Sequence, residues 1–545
     1  MIYAEAIEHL FGLGPELALP IDPAAPRRKF ELAHMRRLCA ALGDPQDQVP
    51  SILIAGTNGK GSTAATLASI LTAAGYQTGL YTSPHLVRVN ERIQISHPVL
   101  PTEYGATVEA GAAPGADGAL ALSEIPDDSF ASLYTLVDEA ARTLVDSGDL
   151  PYAPSFFERL TAVAFCFFRE RHAEIMVLEV GLGGRLDATN VVEPLLSILT
   201  DIALDHQDYL GTTITEITGE KCGILREQGI LITLPQLPEA NHAIGLAAAA
   251  LNVRAVNAAQ FVPSPERSSD SPASSPAVRR AQHPSAPETG PPHYFPRQGD
   301  STQTVPEQTE PVVSLPRNHY QVTLPDGSSL TVDSPLSGQH QQRNLALAIA
   351  AALELRSPPE LQERPRQTPT WKIPNTAISQ GVQNVSWPGR LEFLRPNLLL
   401  DVAHNPAGAW TLRSALATLP PEQPRTLLFS CLRDKSLEEM SRILFPLFDS
   451  SPDSDPARRR DHIILAPLAS PRAADIADLL AAAHRLGIPA HAAPHLAAAL
   501  AQARQITPPG GLIVATGSVY LVGEVRSLLQ QADMEHGGSV MGTAP

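Results

Sequence analysis

The sequence is poor in cysteine, in basic residues relative to acidic ones, and in long apolar runs. Its 545 residues include four cysteines and no Cys-x-x-Cys pair, which disfavours a disulfide framework or a cysteine-based metal site. With 40 basic against 57 acidic residues the net charge is −17, which disfavours non-specific attraction to nucleic acid or anionic membranes. The longest apolar run, near LTAVAFCFF, is too short to span a bilayer, and MIYAEAIEHLFGL lacks the order of a signal peptide. We therefore expect a cytoplasmic protein with reduced thiols, in which any phosphorylated substrate needs a local cationic site.

What is present is an alternation of strand and helix patterns. SILIAG, QTGLYTSP, AEIMVLEVG and LLSILTDI are typical of buried strands, and helices are predicted over 61–74 and FERLTAVAFCFFRERH. Later, HYQVTLPDGSSLTV predicts a hairpin that turns at Pro325-Asp326-Gly327, and QRNLALAIAAALEL predicts a helix. Four more strands follow in NLLLDVAH, RTLLFSCL, HIILAPL and GGLIVATGS. The expected fold is α/β: a doubly wound, mostly parallel sheet domain with a phosphate loop, plus a smaller C-terminal α/β Rossmann-like domain.

The expected domain boundary lies at the Trp-Pro-Gly step that separates the two αβ series. The predicted parts are an N-terminal domain over 1–386, a linker over 387–389, a C-terminal domain over 390–535 and a tail over 536–545. Segment 262–316 contains twelve prolines and few large apolar residues, which is typical of a disordered surface insertion. Segment 106–153, with GAAPGADGALAL, is a second candidate insertion, to which we assign no function.

The sequence also lacks the usual Walker spacing, although GTNGKGS at 56–62 comes close to it. Two residues, not four, separate Gly56 from the Gly59-Lys60 pair. Glycines at 56, 59 and 61 let the backbone approach a polyphosphate closely, with successive loop amides expected to point at it, and a following helix N-terminus adds partial positive charge. Glycine-rich turns between strand and helix also occur with purely structural roles. Lys60, together with the Ser62-Thr63 pair that follows the last of the three glycines, favours phosphate binding over that alternative.

Four polar side chains, Ser83, Glu179, Asp205 and His206, follow predicted strands and are candidate magnesium ligands. The carboxyl ends of parallel strands meet at one edge of a sheet, so these residues should converge there with the glycine loop. Magnesium prefers oxygen ligands and is often held by one or two carboxylates together with substrate phosphates. Taken singly, Glu179 could instead pair with an arginine, and His206 could be a core histidine whose ring nitrogens bond to other protein groups.

Several ordered motifs together carry a family resemblance: GTNGKGS, YTSPHLVRVNER, LEVGLGGRLDATN, ALDHQDYLG, GEKCGIL, WPGRLE and DVAHNP. The sequence resembles the dihydrofolate synthase/folylpolyglutamate synthase family of muramyl-peptide-type ligases, as far as about residue 530 and outside the two insertions. Ligases of this kind use the shortened loop G-x-x-G-K-[GST]-[ST]. The resemblance implies that ATP phosphorylates a substrate carboxylate, and that the amino group of L-glutamate attacks the acyl phosphate in a closing cleft that excludes water.

The resemblance assigns roles by position. The residues implied for ATP are Gly56, Thr57, Asn58, Gly59, Lys60, Gly61, Ser62, Asn344, Arg390 and Asp401. Two magnesium sites are implied, with Ser83, Glu179, His206 and Lys221 as ligands, and Lys221 falls on the lysine that such ligases carbamylate. Lys60, Lys221 and His206 are the implied catalytic residues. His404 lies near the nucleotide or holds its loop in shape.

For the acceptor, the resemblance implies Ser155, Phe157, Glu158, Leu186, Asp187 and Ala188 as dihydropteroate-binding residues. An aromatic ring suits stacking on a flat heterocycle and a carboxylate suits its donors, although Phe157 also fits plain helix packing. The motif RLDATN favours an enzyme that accepts dihydropteroate as well as folates, and the N-terminal loop at 27–30 is a second candidate for setting this specificity. The alternatives are polyglutamylation of folates alone, or a non-ligase nucleotide-binding protein. Expected partners are small molecules only, bound by a monomer.

Overall fold

The computed structural model describes residues 1–14, 32–98, 120–264, 315–356, 371–394, 396–451, 455–458 and 460–536. The N-terminal loop at 27–30 and nearly all of the predicted disordered segment 262–316 lie outside these residues, so those expectations stay predictions. Two large sheets are described, and both belong to one compact unit.

The first sheet has eight strands, in the order β4-β3-β2-β5-β1-β6-β7-β8. They are β1 (Ser51–Ala55), β2 (Thr78–Tyr81), β3 (Ile93–Pro98), β4 (Leu120–Glu124), β5 (Ile175–Glu179), β6 (Leu196–Leu199), β7 (Ile230–Thr233) and β8 (Arg254–Asn257). All neighbouring pairs are parallel except β2 with β3 and β3 with β4. Strand β1 is flanked by β5 and β6 and is buried along its whole length, as its unbroken apolar run SILIA requires.

Helices cover both faces of this sheet. They are α1 (Tyr3–Gly12), α2 (Leu32–Ala41), α3 (Lys60–Ala73), α4 (Asp127–Asp146), α5 (Phe156–Glu170), α6 (Gln207–Leu210), α7 (Ile214–Cys222), α8 (Pro238–Ala250), α9 (Gln339–Leu355) and α10 (Asn375–Gln383). Because side chains of a strand alternate between faces, Leu53 and Ala55 enter one core while Ile52 and Ile54 enter the other. A separate hairpin of β9 (Asn318–Thr323) and β10 (Ser329–Ser334) packs on the second core.

The second sheet has six strands, in the order β11-β12-β16-β13-β14-β15. They are β11 (Glu392–Leu394), β12 (Leu398–Leu400), β13 (Arg425–Phe429), β14 (His462–Leu465), β15 (His491–Ala492) and β16 (Leu512–Thr516). Only β11 runs antiparallel to its neighbour. Its helices are α11 (Pro406–Leu416), α12 (Leu437–Leu444), α13 (Ile476–Arg485), α14 (Leu496–Ile506) and α15 (Val519–His536).

These sheets confirm the predicted α/β class, the strands predicted from apolar runs, and the hairpin, whose Gly327 has φ 80°. The domain boundaries and the insertion at 106–153 stay predictions. Within that segment, β4 joins the first sheet and α4 packs on α5, so its described part belongs to the sheet and core and is not a surface appendage.

The four cysteines are buried free thiols. Among the residues that the structure describes, no helix combines the length and hydrophobicity needed to cross a bilayer.

Candidate active site

The phosphate loop connects the end of β1 to the start of α3, and its glycines are held in tight surroundings. Gly59 has φ 88°, and a Cβ on it would lie 2.1 Å from Oδ1 of Asn344. A Cβ on Gly56 would lie 1.9 Å from Oγ1 of Thr200. Neither position can accept a side chain without moving its neighbour, so contacts with other elements fix the loop's shape.

Not every amide of the loop is directed at a ligand. The N–H groups of Thr57 and Asn58 both donate to the carbonyl of Asp201, at 2.9 and 3.1 Å, and so tie the loop to the segment after β6. The expectation that successive loop amides face a phosphate therefore needs correction at these two residues. In this structure the amides at the start of α3, from Lys60 onward, are the better phosphate donors, because the first N–H groups of a helix have no partner within the helix. Lys60 Nζ donates to the carbonyl of Thr57 at 3.2 Å.

Glu179 is buried at the end of β5, next to this loop. Its Oε2 accepts from the N–H of Ser83 at 3.1 Å and lies 3.2 Å from the position of a Cβ on Gly61. Burial raises the pKa of Glu179, and the charge of Lys60 opposes that rise. Among the described residues Glu179 forms no salt bridge, so the alternative of an arginine ion pair does not account for it. Its carboxylate lies beside the place where phosphates would bind.

His206 lies in the left-handed region, with φ 51°, directly before α6. Burial lowers its pKa to about 4, so the imidazole is neutral near pH 7 and could act as a ligand. Within the described ranges, no three His, Cys, Asp or Glu side chains form a group that could hold a metal by themselves. A magnesium ion here would therefore need ligands from the substrate as well, as is usual for this ion.

Lys221 extends from α7 to the first residue of the phosphate loop, where its Nζ donates to the carbonyl of Gly56 at 2.7 Å. The residue is only 4% exposed. Burial lowers the pKa of Lys221 to about 7, and the nearby charge of Lys60 acts in the same direction. A large fraction of this amine is therefore uncharged near neutral pH.

Two residues of the second sheet's domain face the loop. Asp401, after β12, accepts from the N–H groups of Leu391 and Ala403 at 3.0 and 2.9 Å. Burial raises the pKa of Asp401 to about 6, although these two hydrogen bonds lower it. The neighbouring Arg390 donates to the carbonyl of Pro388 at 3.1 Å, and its charge acts on both Asp401 and Glu179. The arginine thus lies between the two domains.

One cavity of about 850 Å³ collects these groups. Every residue that the sequence assigned to ATP, metal or acceptor lines it: Gly56, Thr57, Asn58, Gly59, Lys60, Gly61, Ser62, Ser83, Ser155, Phe157, Glu158, Glu179, Leu186, Asp187, Ala188, Asp205, His206, Lys221, Asn344, Arg390 and Asp401. The cavity wall combines residues from both sheets' domains, so it can bring a phosphate donor and a second substrate together.

Comparison with known proteins identifies the family. Residues 389–519 match the Mur ligase, glutamate ligase domain. The chain is 31% identical over 532 residues to folylpolyglutamate synthase of Lacticaseibacillus casei, covering 97% of this chain and 99% of that one. It is 30% identical over 416 residues to dihydrofolate synthase/folylpolyglutamate synthase of Bacillus subtilis, covering 76% and 78%.

The chain belongs to the dihydrofolate synthase/folylpolyglutamate synthase family of Mur-type ligases. It is thus an acid–amino-acid ligase by family, as the motifs predicted. Among solved structures, a Mycobacterium tuberculosis folylpolyglutamate synthase complexed with ADP and AMPPCP matches with a TM-score of 0.68 at 25% identity, covering 96% of this chain and 98% of that one. The Thermotoga maritima folylpolyglutamate synthase matches with a TM-score of 0.66 at 25% identity, covering 97% of both chains.

Two carboxylates that the sequence predicts to bind the acceptor are already hydrogen-bonded within the protein. Asp187 accepts from the N–H groups of Gly181, Leu182 and Thr189 and from the Thr189 hydroxyl. Glu158 accepts from the N–H and the hydroxyl of Ser155 in a capping box at the start of α5. Both oxygens of Asp187 therefore bond within its own segment, 181–189. The expectation that this carboxylate pairs with the heterocycle is corrected accordingly.

Phe157 packs against neighbouring residues and also lines the cavity, and its stacking on a heterocycle stays a prediction. Its ring packs on Gly181, where a Cβ would lie 2.6 Å from Phe157 Cζ, and its centroid lies 6.0 Å from that of Tyr81. It also lines the cavity, together with Leu186 and Ala188. Leu32 and Met35 of α2 line the cavity as well, and sequence reasoning missed both. No local motif marks them, because only tertiary packing brings α2 to this wall.

Asp205, one of the predicted magnesium ligands, lies in a polar cluster between the family's two domains, and sequence reasoning missed its partners Lys435 and Asn405. Asp205 accepts from Lys435 Nζ at 2.7 Å and from Asn405 Nδ2 at 2.9 Å, and Asn405 also donates to Asn58 Oδ1 at 3.0 Å. His404 Nε2 lies 3.8 Å from Asp205, and its Nδ1 donates to the carbonyl of Val402 at 2.8 Å, so both roles predicted for this histidine stay open. Lys435 could have been found as a cation in the loop after a buried strand, the same signal that selected Glu179.

Proposed function

We propose that this chain uses ATP to join L-glutamate to the carboxylate of dihydropteroate, forming dihydrofolate, and of reduced folates, forming folylpolyglutamates. The observation that supports it best is the single cavity, in which the phosphate loop and Lys60 lie with Arg390 and an apolar, aromatic wall. A phosphate donor needs cations and N–H groups, whereas a flat acceptor needs an apolar wall, and this cavity offers both.

The chain's own residues supply charge and orientation. Lys60 and the amides at the start of α3 bind the terminal phosphates, and Arg390 faces them from the other domain. Stabilising the charge that develops during transfer is the main contribution of such groups. The γ-phosphoryl group passes to the acceptor carboxylate, the amino group of glutamate then attacks the acyl phosphate, and inorganic phosphate leaves as the amide forms. Burial within the cavity keeps water from the acyl phosphate.

The residues present fit magnesium together with substrate phosphates. Glu179 offers a buried carboxylate beside Gly61, Ser83 a hydroxyl, and His206 a neutral imidazole. When bound, magnesium neutralises phosphate charge. We propose that Lys221, whose amine is partly uncharged, carries a carbamate that adds an anionic oxygen at a second ion. Native mass spectrometry checks this: wild type should be heavier than Lys221→Met by one carbon dioxide beyond the residue difference, and equal corrected masses would contradict it.

The test is an acceptor panel with ATP, magnesium and glutamate, which follows phosphate release and amide formation. Wild type should release phosphate with dihydropteroate and with a reduced folate, and only when glutamate is present. Lys60→Ala should lower kcat by about a hundredfold or more, because it removes the mobile cation from the phosphates. An unchanged rate in that variant would refute the role given to Lys60. ATP consumption without amide formation would refute the ligase itself.

The assay with dihydropteroate separates two versions of the proposal, a bifunctional enzyme and one restricted to folates. The L. casei relative is named folylpolyglutamate synthase alone, whereas the B. subtilis relative carries both names. The motif RLDATN supports dual use here. Activity with reduced folates but not with dihydropteroate would restrict the function to polyglutamylation. We further propose a cytoplasmic monomer, which cell fractionation and gel filtration would test.

A further inference from the structure

Trp387 lies in the segment between α10 and β11, where the chain passes from one domain to the other. Its ring touches the phosphate loop: a Cβ on Gly61 would lie 2.7 Å from Trp387 Cζ2 and 3.1 Å from Cε2. The guanidinium carbon of Arg390 lies over the same ring, 5.6 Å from its centroid. The indole therefore contacts two parts of the proposed ATP site that belong to different domains.

The backbone around Arg390 leaves this arginine little freedom. It is flanked by two residues in the left-handed region, Gly389 with φ 73° and Leu391 with φ 49°. Positive φ is unfavourable for a leucine, and here the Leu391 N–H donates to the Asp401 carboxylate at 3.0 Å. Gly389 is held in the same way, because its N–H donates to Glu392 Oε2 at 2.7 Å. The chain thus directs Arg390 to one place, over the Trp387 ring.

The indole of Trp387 is held in place by ring contacts and not by a hydrogen bond from its Nε1. In the part of the chain that the structure describes, the buried Nε1 of Trp387 has no hydrogen-bond partner. A tryptophan whose N–H contributes no bond still provides the largest aromatic face for a cation, and planar guanidinium groups stack well on such faces. Packing on Gly61 and stacking with Arg390 are therefore what this side chain contributes.

We propose that Trp387 is a positioning residue for phosphoryl transfer, which sets Arg390 at a fixed distance from the phosphate loop. This rests on the proposed function, because Arg390 matters here only if it contacts the phosphates of ATP. The proposal predicts that the aromatic ring is required and the indole nitrogen is not. It also predicts that nucleotide binding changes the surroundings of this tryptophan.

The experiment compares Trp387→Leu and Trp387→Phe in full-length protein. Trp387→Leu should lower kcat on the order of tenfold and raise KM for ATP, with KM for glutamate and for the folate unchanged. Trp387→Phe keeps an aromatic face and should recover most of kcat. Equal losses in both variants, or wild-type kinetics in Trp387→Leu, would overturn the proposal.

Trp410 provides a matched control, since Arg413 lies over its ring at the same 5.6 Å but the residue is 56% exposed on α11. Trp410→Leu should leave all kinetic constants unchanged. The sequence has three tryptophans, so binding of AMPPCP can be followed by fluorescence. The signal should persist in Trp410→Phe and vanish in Trp387→Phe, and its persistence in Trp387→Phe would count against the proposal even if Trp387→Leu failed to fold. Inactive wild type would refute the proposed function instead, and so the two failures are distinguishable.

Discussion

At the scale of single residues, burial gives ordinary side chains unusual chemistry. Lys221 shows this best, because its amine is 4% exposed and ends on the carbonyl of Gly56. A lysine in water stays protonated well above neutral pH, but burial lowers the pKa of Lys221 to about 7. In the segment GEKCGIL, residue chemistry alone does not distinguish this lysine from a solvated one, and only the family resemblance selected it.

The lowered pKa of Lys221 predicts how stability depends on pH. Between pH 7 and the unfolded value of 10.5, the folded protein has released a proton that the unfolded chain keeps. The free energy of unfolding should therefore rise with pH in this window, by about 2 kcal/mol from pH 7 to pH 9. Lys221→Met has no such group and should lack this rise.

Urea unfolding of both proteins at several pH values, in carbonate-free buffer, measures the difference. Taking the difference between the two proteins removes the contribution of all other titrating groups. Parallel pH profiles for wild type and Lys221→Met would show that the amine is not perturbed.

At the scale of elements, close helix contacts depend on glycines that have no role in turns. Helices α3 and α10 pack tightly, and a Cβ on Gly381 would lie 2.3 Å from the Cα of Ile70. The clash is with backbone, so no rotamer change relieves it. Since α3 begins with Lys60, this contact supports the helix that presents the phosphate loop.

Gly381→Ala should therefore destabilise the protein by about 1–3 kcal/mol, as overpacking does. Gly245, in α8, is the matched control, since nothing lies within 4 Å of its Cβ position. Gly245→Ala should be neutral or stabilising by about 0.5–1 kcal/mol, because alanine favours a helix over glycine. Thermal unfolding measures both variants, and a neutral Gly381→Ala would mean that the helices can separate freely.

At the scale of the whole molecule, a buried polar cluster joins the two domains beside the phosphate loop. Lys435 and Asp205 form an ion pair with side chains only 7% and 10% exposed, and Asn405 links the same carboxylate to Asn58. Burial by itself would raise the pKa of Asp205, but the charge of Lys435 holds it well below its usual range. A buried carboxylate that loses its cation is costly.

Lys435→Met should accordingly lower stability by about 2 kcal/mol or more and reduce activity, because Asp205 is left without its cation. Adding Asp205→Asn should recover part of the lost stability but not the activity. The exposed pair Arg442–Glu438 on α12 is the control, and Arg442→Gln should change stability by less than about 0.5 kcal/mol. Denaturant unfolding of the single and double variants gives the coupling free energy between Lys435 and Asp205. Strictly additive losses of stability would show that the two residues are not coupled.

The central strands and the phosphate loop could be predicted from the amino-acid sequence alone. Runs such as SILIA and RTLLF are fully buried strands because a parallel strand covered on both faces must be apolar throughout. Short or exposed edge strands such as β8, with the sequence RAVN, have no such signature and were missed. The candidate site residues were found through strand ends and family motifs, and all of them line one cavity.

The contacts of each polar side chain could not be predicted and depend on how the chain folds. The tertiary structure directs the carboxylate of Asp187 to its own loop, places Trp387 against both Gly61 and Arg390, and pairs Asp205 with Lys435 across 230 positions of sequence. Apolar periodicity and glycine spacing involve residues only a few positions apart, so the sequence shows them directly. Hydrogen bonds, burial and pKa shifts depend on neighbours that are brought together only when both domains have folded.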